Sequence, residues 1–168
     1  MTDLAHTFLD ESRRLLVSDY LPKIERCLEE LNDEDVWWRP NEASNSIGNL
    51  MLHLCGNLRQ WIIGGVGRRA FERDRQQEFD ERSHLARKEL LARLRATLKE
   101  ADDVLGSVDS ESLLTRRQIQ DDDGTVLEAI YHVVEHFGMY TGQIIVLSKL
   151  RAGKDLGLWR PRATGGES

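Results

Sequence analysis

Cysteine is scarce in this chain. Two residues among 168, Cys27 and Cys55, are too few for a disulfide framework. Both stand in apolar helical sequence, where a free thiol packs as a small hydrophobe. A reduced, cytoplasmic setting is the expectation. Long apolar runs are also missing: nothing approaches the ~20 residues that a membrane span requires. The opening MTDLAHTFLDESRR is acidic and amphipathic, with no basic stretch ahead of an apolar one, so neither an export signal nor an anchor is expected. Basic residues are outnumbered, 23 Lys and Arg against 29 Asp and Glu, for a formal charge of -6. The overall field therefore repels phosphate backbones and acidic lipid surfaces, and neither nucleic acid nor membrane is an expected partner. Alternating strand patterns are nearly absent, which argues against a sheet-based fold.

What remains is helix. A chain of this length with 40% hydrophobic residues can bury roughly 70% of its unfolded surface in one domain. Leu4, Phe8, Leu15, Leu16, Tyr20, Ile24, Cys27, Leu28 and Leu31 recur mostly at helical spacing between about Asp3 and Leu31, with Pro22 as a kink. The segment around Pro40 breaks the pattern, and Ser46 or Ser44 offers a cap for a second helix from about Ile47 to Ile63. Residues 64–82 are glycine-rich, then charged without apolar period, and read as a long connection. A third helix fits Ser83 to about Leu105, with Leu90, Leu91, Leu94, Leu98 and Val104 on its inner face. A turn at Asp123 and Gly124 leads into a fourth, from about Thr125 to Leu150. The reading is an all-α four-helix bundle over residues 1–152 and a loose C-terminal tail, 153–168, that Leu158 and Trp159 could pin.

The fourth helix contains AIYHVVEHFGMYTGQIIVLSKL. Residues four apart on a helix are offset by about 40° and stand roughly 6 Å apart along the axis, so His132 and His136 could share one ion. On an ideal wheel with Ile130 at zero, Val126, Val133, Val134, Phe137, Ile144 and Ile145 lie within about 60°. His136 falls near -120° and His132 near -160°, with Tyr140 and Gln143 beside them at about -80° and -140°. This polar ribbon can face either a groove or solvent. His53, in NLMLHLCGNL, is surrounded by Leu50, Met51, Leu52 and Leu54. An imidazole buried there without a partner would cost roughly 1–3 kcal/mol. A hydrogen bond could supply the partner, and so could a metal held jointly with His132 and His136, provided the second and fourth helices are neighbours. Three imidazoles leave a tetrahedral ion one open position. His6 and His84 have no such company and read as surface residues.

The pentapeptide HVVEH also fits H-x-x-E-H, in which Glu135 would be the general base of a zinc hydrolase. Against that reading, no acidic residue follows His136 until Asp155, and Glu135 falls near 140° on the same wheel, away from His136.

The stretches VWWRPNEASNSI, SNSIGNLMLHLCGNLRQWI and YHVVEHFGMYTGQI together resemble the DinB/YfiT-like superfamily of metal-dependent enzymes, over about Leu4 to Leu150. GRRAFERDRQQEFDER is similar to one branch of it. The resemblance implies a four-helix bundle in up-down-down-up order and a divalent metal held by one His of helix two and two of helix four, here His53, His132 and His136. Tyr140 stands where some members carry a further histidine. Characterised members include transferases and isomerases that use a low-molecular-weight thiol, with the metal favouring the thiolate. Related bundles are often dimers, so a homodimer is expected.

Asn57 and Gln143 are candidates to orient hydrogen bonds in the site or to be ordinary solvated amides. Tyr140 is a candidate proton donor or a core residue, and Trp37 and Trp38 either cover the bundle end or line the pocket mouth. Arg68, Arg69, Arg73, Arg75 and Arg82, interspersed with Glu72, Asp74, Glu78, Asp80 and Glu81, read better as a self-neutralised solvated loop than as a catcher of an acidic thiol. The functional expectation is a thiol-dependent S-transferase or hydrolase acting on a small molecule. Its ion would be Zn or Ni, with Fe or Cu as further choices. The alternative is a non-enzymatic, stress-related bundle with a structural or vestigial metal.

Overall fold

The computed structural model describes residues 4–82, 85–119 and 122–159. The expected start of helix three at Ser83, the surface placement of His84 and the end of the tail lie outside them. The first long helix is α1 (Leu4–Arg13), a π-helical segment (Arg14–Tyr20) and α2 (Leu21–Glu29) in unbroken succession. Pro22 lies in the first turn of α2. A proline ring crowds the carbonyl four residues back, and the widened π turns immediately before it accommodate that crowding. The short helix α3 (Asp33–Trp37) opens on a capping box between Asn32 and Asp35.

Helix α4 (Ile47–Leu58) is capped by Ser46, whose side chain accepts from the Asn49 backbone, and it continues into a second π-helical segment (Arg59–Val66). The long connection contains a short helix, α5 (Arg75–Asp80), capped by Asp74. Then come α6 (Arg87–Gly106), a 3-10 turn (Ser110–Leu114), strands β1 (Arg116–Ile119) and β2 (Asp122–Thr125), and α7 (Val126–Ala152). The strands form an antiparallel hairpin in which Arg117 faces Gly124 and Gln118 faces Asp123. Asp123 and Gly124 therefore lie within a strand, not at the expected turn. The hairpin leads into α7, whose first turn is closed by a capping box between Thr125 and Glu128. That helix ends at Gly153, which takes a left-handed φ of 64° favourable to glycine.

Long-range contacts give the directions of the helices. Arg13 pairs with Asp102 and Arg95 with Glu25, while Arg87 donates to the Leu28 and Leu31 carbonyls, so the first long helix and α6 run antiparallel. Trp37, packed against Gly48, donates Nε1–H to the Leu85 carbonyl, and Gly67 packs on Val104. Helix α4 is thus parallel to α6, which is why a long crossover must join them. Tyr20 meets Gly138 and Asp35 pairs with Arg151, aligning α7 with the first helix. The order is up-down-down-up. Leu16, Ile24, Leu50, Leu54, Leu94, Ile130 and Phe137 fill the shared core. Beyond α7, Leu156 is the buried anchor of the described tail. Half-buried Leu158 packs on the core, whereas exposed Trp159 receives Lys23 and Lys149 against its ring. Among the described residues no helix is long and apolar enough to cross a membrane.

Candidate metal centre

Every residue of α4 is buried, because the helix packs against α5, α6 and α7 at once. A polar side chain on it must therefore find its partners inside the protein. His53, 2% exposed, has its Nδ1 2.8 Å from Glu78 Oε2 and its Nε2 2.9 Å from Nε2 of His136. Tyr140 closes one side, with its ring centre 4.9 Å from that of His53 and 4.7 Å from that of His136. Phe79 covers His53 at 4.7 Å.

The network assigns the tautomer of His53. Arg73 Nη2 also lies 3.1 Å from Nδ1, but it donates to Glu78 Oε2 at 2.9 Å. The carboxylate at 2.8 Å is the stronger, charge-assisted acceptor for an Nδ1–H. The proton then sits on Nδ1, and Nε2 presents a lone pair toward His136. Burial first, and then the electrostatic influence of neighbouring His53, His132, Arg73 and Arg75, pushes His136 down to about 4, so its imidazole is neutral at physiological pH.

His132 stacks on His136 with ring centres 5.1 Å apart and planes 30° apart. On its other side is Trp61, at 4.5 Å. Asn57 Nδ2 donates to His132 Nε2 at 3.3 Å. Asn57 is 2% exposed, and its Oδ1 is buried with no hydrogen-bond partner among the described residues.

The residues meant to be solvated are part of this site. Arg73 and Glu78, whose side chains are 6% and 11% exposed, form a two-pronged ion pair through Nε–Oε1 at 2.8 Å and Nη2–Oε2 at 2.9 Å. Burial alone would raise the Glu78 carboxyl, but hydrogen bonds from Arg73 and His53 outweigh it and hold the group below its ordinary value. The loop is self-neutralised, but at its centre it is not solvated. Around that centre, Arg69 pairs with Glu100, Arg75 lies over Phe79, and Arg82 donates to the carbonyls of Phe79 and Glu81. Gly56 makes the approach possible: a Cβ there would lie 1.8 Å from Glu78 Oε1.

His53, His132, His136, Tyr140 and Asn57 thus come together. Other candidates lie elsewhere. Trp37 and Trp38 belong to the bundle end, the first against Gly48 and the second under Arg151. Gln143 is exposed beside Met139 and Val146, and Glu135 is exposed. Exposed His6 sits where the sequence placed it. Sequence reasoning missed Glu78, Arg73 and Trp61. Only Trp61 carried a local signal, since it follows His53 and Asn57 at successive spacings of four on one helical face.

The chemistry of the donors fits a divalent ion: Nε2 of His53, its tautomer fixed by a carboxylate, faces the neutral imidazole of His136, and His132 stacks beside them. Closure is incomplete. Among the described residues no group of three or more His, Cys, Asp or Glu side chains stands ready-formed to hold a metal ion. Two nitrogens converge, and the third, on His132, is turned to the Asn57 amide.

The up-down-down-up bundle is a DinB-like fold. The crystal structure of a DinB-like protein from Bacillus cereus matches with a TM-score of 0.64 and 17% identity, over 81% of this chain and 87% of that one. At that identity the likeness speaks for the fold alone. The chain belongs to the family described as protein of unknown function (DUF1572), whose model matches residues 3–160. Comparison with curated proteins returns no match.

Proposed function

We propose that this protein is a metal-dependent enzyme in which His53, His132 and His136 hold one divalent ion, zinc or nickel first, and that it acts on a small molecule as a thiol-dependent S-transferase or hydrolase. The observation that carries the reading is the meeting of Nε2 of His53 and Nε2 of His136 at 2.9 Å, with His132 stacked against the pair. An ion held there would supply Lewis acidity, favouring the deprotonated form of a bound thiol or water. The chain's own residues do the rest. Glu78 keeps the proton on Nδ1 of His53, Asn57 holds His132 through its amide, and Tyr140 walls the site with its ring beside those of His53 and His136. Neither cysteine can serve as the thiol, because Cys27 and Cys55 are both buried. A thiol nucleophile must therefore arrive with a cosubstrate.

Elemental analysis of the purified protein tests the first half: one ion per chain is expected. His53→Ala should lose the ion while keeping its helical circular dichroism. A conjugation assay with several cellular thiols tests the second half. Protein that binds neither zinc nor nickel in an equilibrium titration sinks the reading.

One observation favours a second reading, a non-enzymatic bundle whose site is structural or vestigial: the engagement of His132 Nε2 by Asn57. Asn57→Ala separates the two. On the enzymatic reading it frees His132 and leaves metal affinity equal or tighter. The H-x-x-E-H hydrolase has less support, since Glu135 is exposed. We also infer a homodimer through the outer face of α7, where Met139, Val146 and Leu150 are exposed.

A further inference from the structure

We infer that Glu78, delivered by the connection between α4 and α6, is a positioning residue of the metal centre: it fixes the His53 tautomer and raises the basicity of Nε2. The inference rests on the metal reading above. Four observations carry it.

The first is burial. Glu78 and Arg73 leave water almost completely, and an ion pair in that setting gives up solvation that its mutual attraction only partly restores. On a crossover with ample solvent within reach, such a pair is unexpected unless the carboxylate is needed inside. The second is aim. Glu78 Oε2 reaches Nδ1 of His53 at 2.8 Å, the ring nitrogen opposite the one that faces His136. A carboxylate at that nitrogen orients a ligating imidazole and makes its other nitrogen a better donor.

The third is anchorage. Helix α5 is too short to hold its own position. Its chain is pinned to α4 by Asn49, fully buried, whose Nδ2 donates to the carbonyls of Glu78, Phe79 and Glu81 at 2.9, 3.2 and 3.3 Å. Arg73 secures the other side by donating to Gln60 Oε1 in the π-helical segment. The fourth is the gap at Gly56. Any side chain there would occupy the space of the Glu78 carboxylate. One helix thus supplies the ligand, the anchor for the strap and the space for its carboxylate, at positions 53, 49 and 56.

The test measures zinc affinity by competition with a chromophoric chelator, alongside metal-free thermal unfolding of each variant. Glu78→Gln should weaken zinc binding about 10- to 100-fold. Gly56→Ala, which removes no polar group, should weaken it comparably by displacing the carboxylate. The double variant should bind no worse than the weaker single one, because both changes remove the same interaction. Unchanged affinity in Glu78→Gln, with binding abolished in His53→Ala, overturns the inference and leaves the metal reading standing. Wild-type protein that binds neither zinc nor nickel overturns both. Should the variants fail to fold, long-range proton–nitrogen NMR correlation on the metal-free wild type decides instead. An Nδ1–H tautomer at His53 is expected, and an Nε2–H tautomer overturns the inference.

Discussion

Cys55 lies against α6 in a setting where burial, set against a weaker hydrogen bond with Thr97, pushes its thiol up to about 11. Cys27 is shifted the same way, again by burial first. A thiol reacts through its thiolate, and near pH 8 neither residue supplies a useful fraction of it. Native protein should therefore consume almost no aromatic disulfide reagent in minutes, and both thiols should titrate once a denaturant opens the core. A rapid equivalent from the folded protein would contradict this and would restore a protein thiol to the chemistry. Phe137 gives the matching core test. It is fully buried in the bundle core, and Phe137→Ala should cost about 3–5 kcal/mol in chemical denaturation. The residues of the centre differ in how openly the sequence shows them. His132 and His136 declare themselves by spacing, and His53 by the apolar residues around it, because each signal is local. Glu78 and Arg73 are five apart on a charged segment, and nothing near them announces burial. Their burial follows from Gly56 on another helix, which no local pattern encodes.

At the scale of elements, helical spacing marks the four long helices well, since each buries one stripe against its neighbours. The departures come from pairing and crowding. The pair Asp123–Gly124 reads as a turn on composition, but β1 offers Arg117 and Gln118 as partners, and Arg116 adds an ion pair to Asp123 at 2.8 Å. The strand thereby extends through the pair. Thr125, which ends it, also starts α7. Its hydroxyl accepts from the Glu128 amide at 3.2 Å, and Glu128 Oε2 accepts from the Thr125 amide at 2.6 Å. Thr125→Ala should destabilise the protein by about 0.5–2 kcal/mol. The pH dependence of that loss has a definite sign. Hydrogen bonds from the Thr125 backbone and then its side chain lower the Glu128 pKa. The stabilisation is present above the unfolded value and fades as pH falls through the lowered folded one. The gap in melting temperature between wild type and Thr125→Ala should accordingly narrow in acid. A gap that widens there would show that the cap acts through something other than this carboxylate.

At the scale of the whole molecule, a long apolar feature of α7 is not covered by the described residues. Met139, Val146 and Leu150 are 52%, 58% and 62% exposed, and their spacing of seven and four keeps them on one side of α7. Exposed Gly142 and Gln143 lie between them, and nothing stands within 4 Å of a Cβ placed at Gly142. The result is an open path, bordered by Ala43, Ser44 and Asn45, along which another helix could approach closely. In the proposed homodimer a second copy would present the same path, and an isologous pair about a two-fold axis would use it on both sides. Specific dimers bury roughly 800 Å² per partner, more than three side chains supply, so the contact must spread along much of the helix. Light scattering across a dilution series should give twice the chain mass for wild type. Val146→Glu, which puts a charge at the centre of the path and touches none of the histidines, should give the chain mass with zinc binding intact. A wild-type protein that stays monomeric at high concentration would remove the dimer and leave the centre untouched, because His53, His132, His136 and Glu78 all come from one chain.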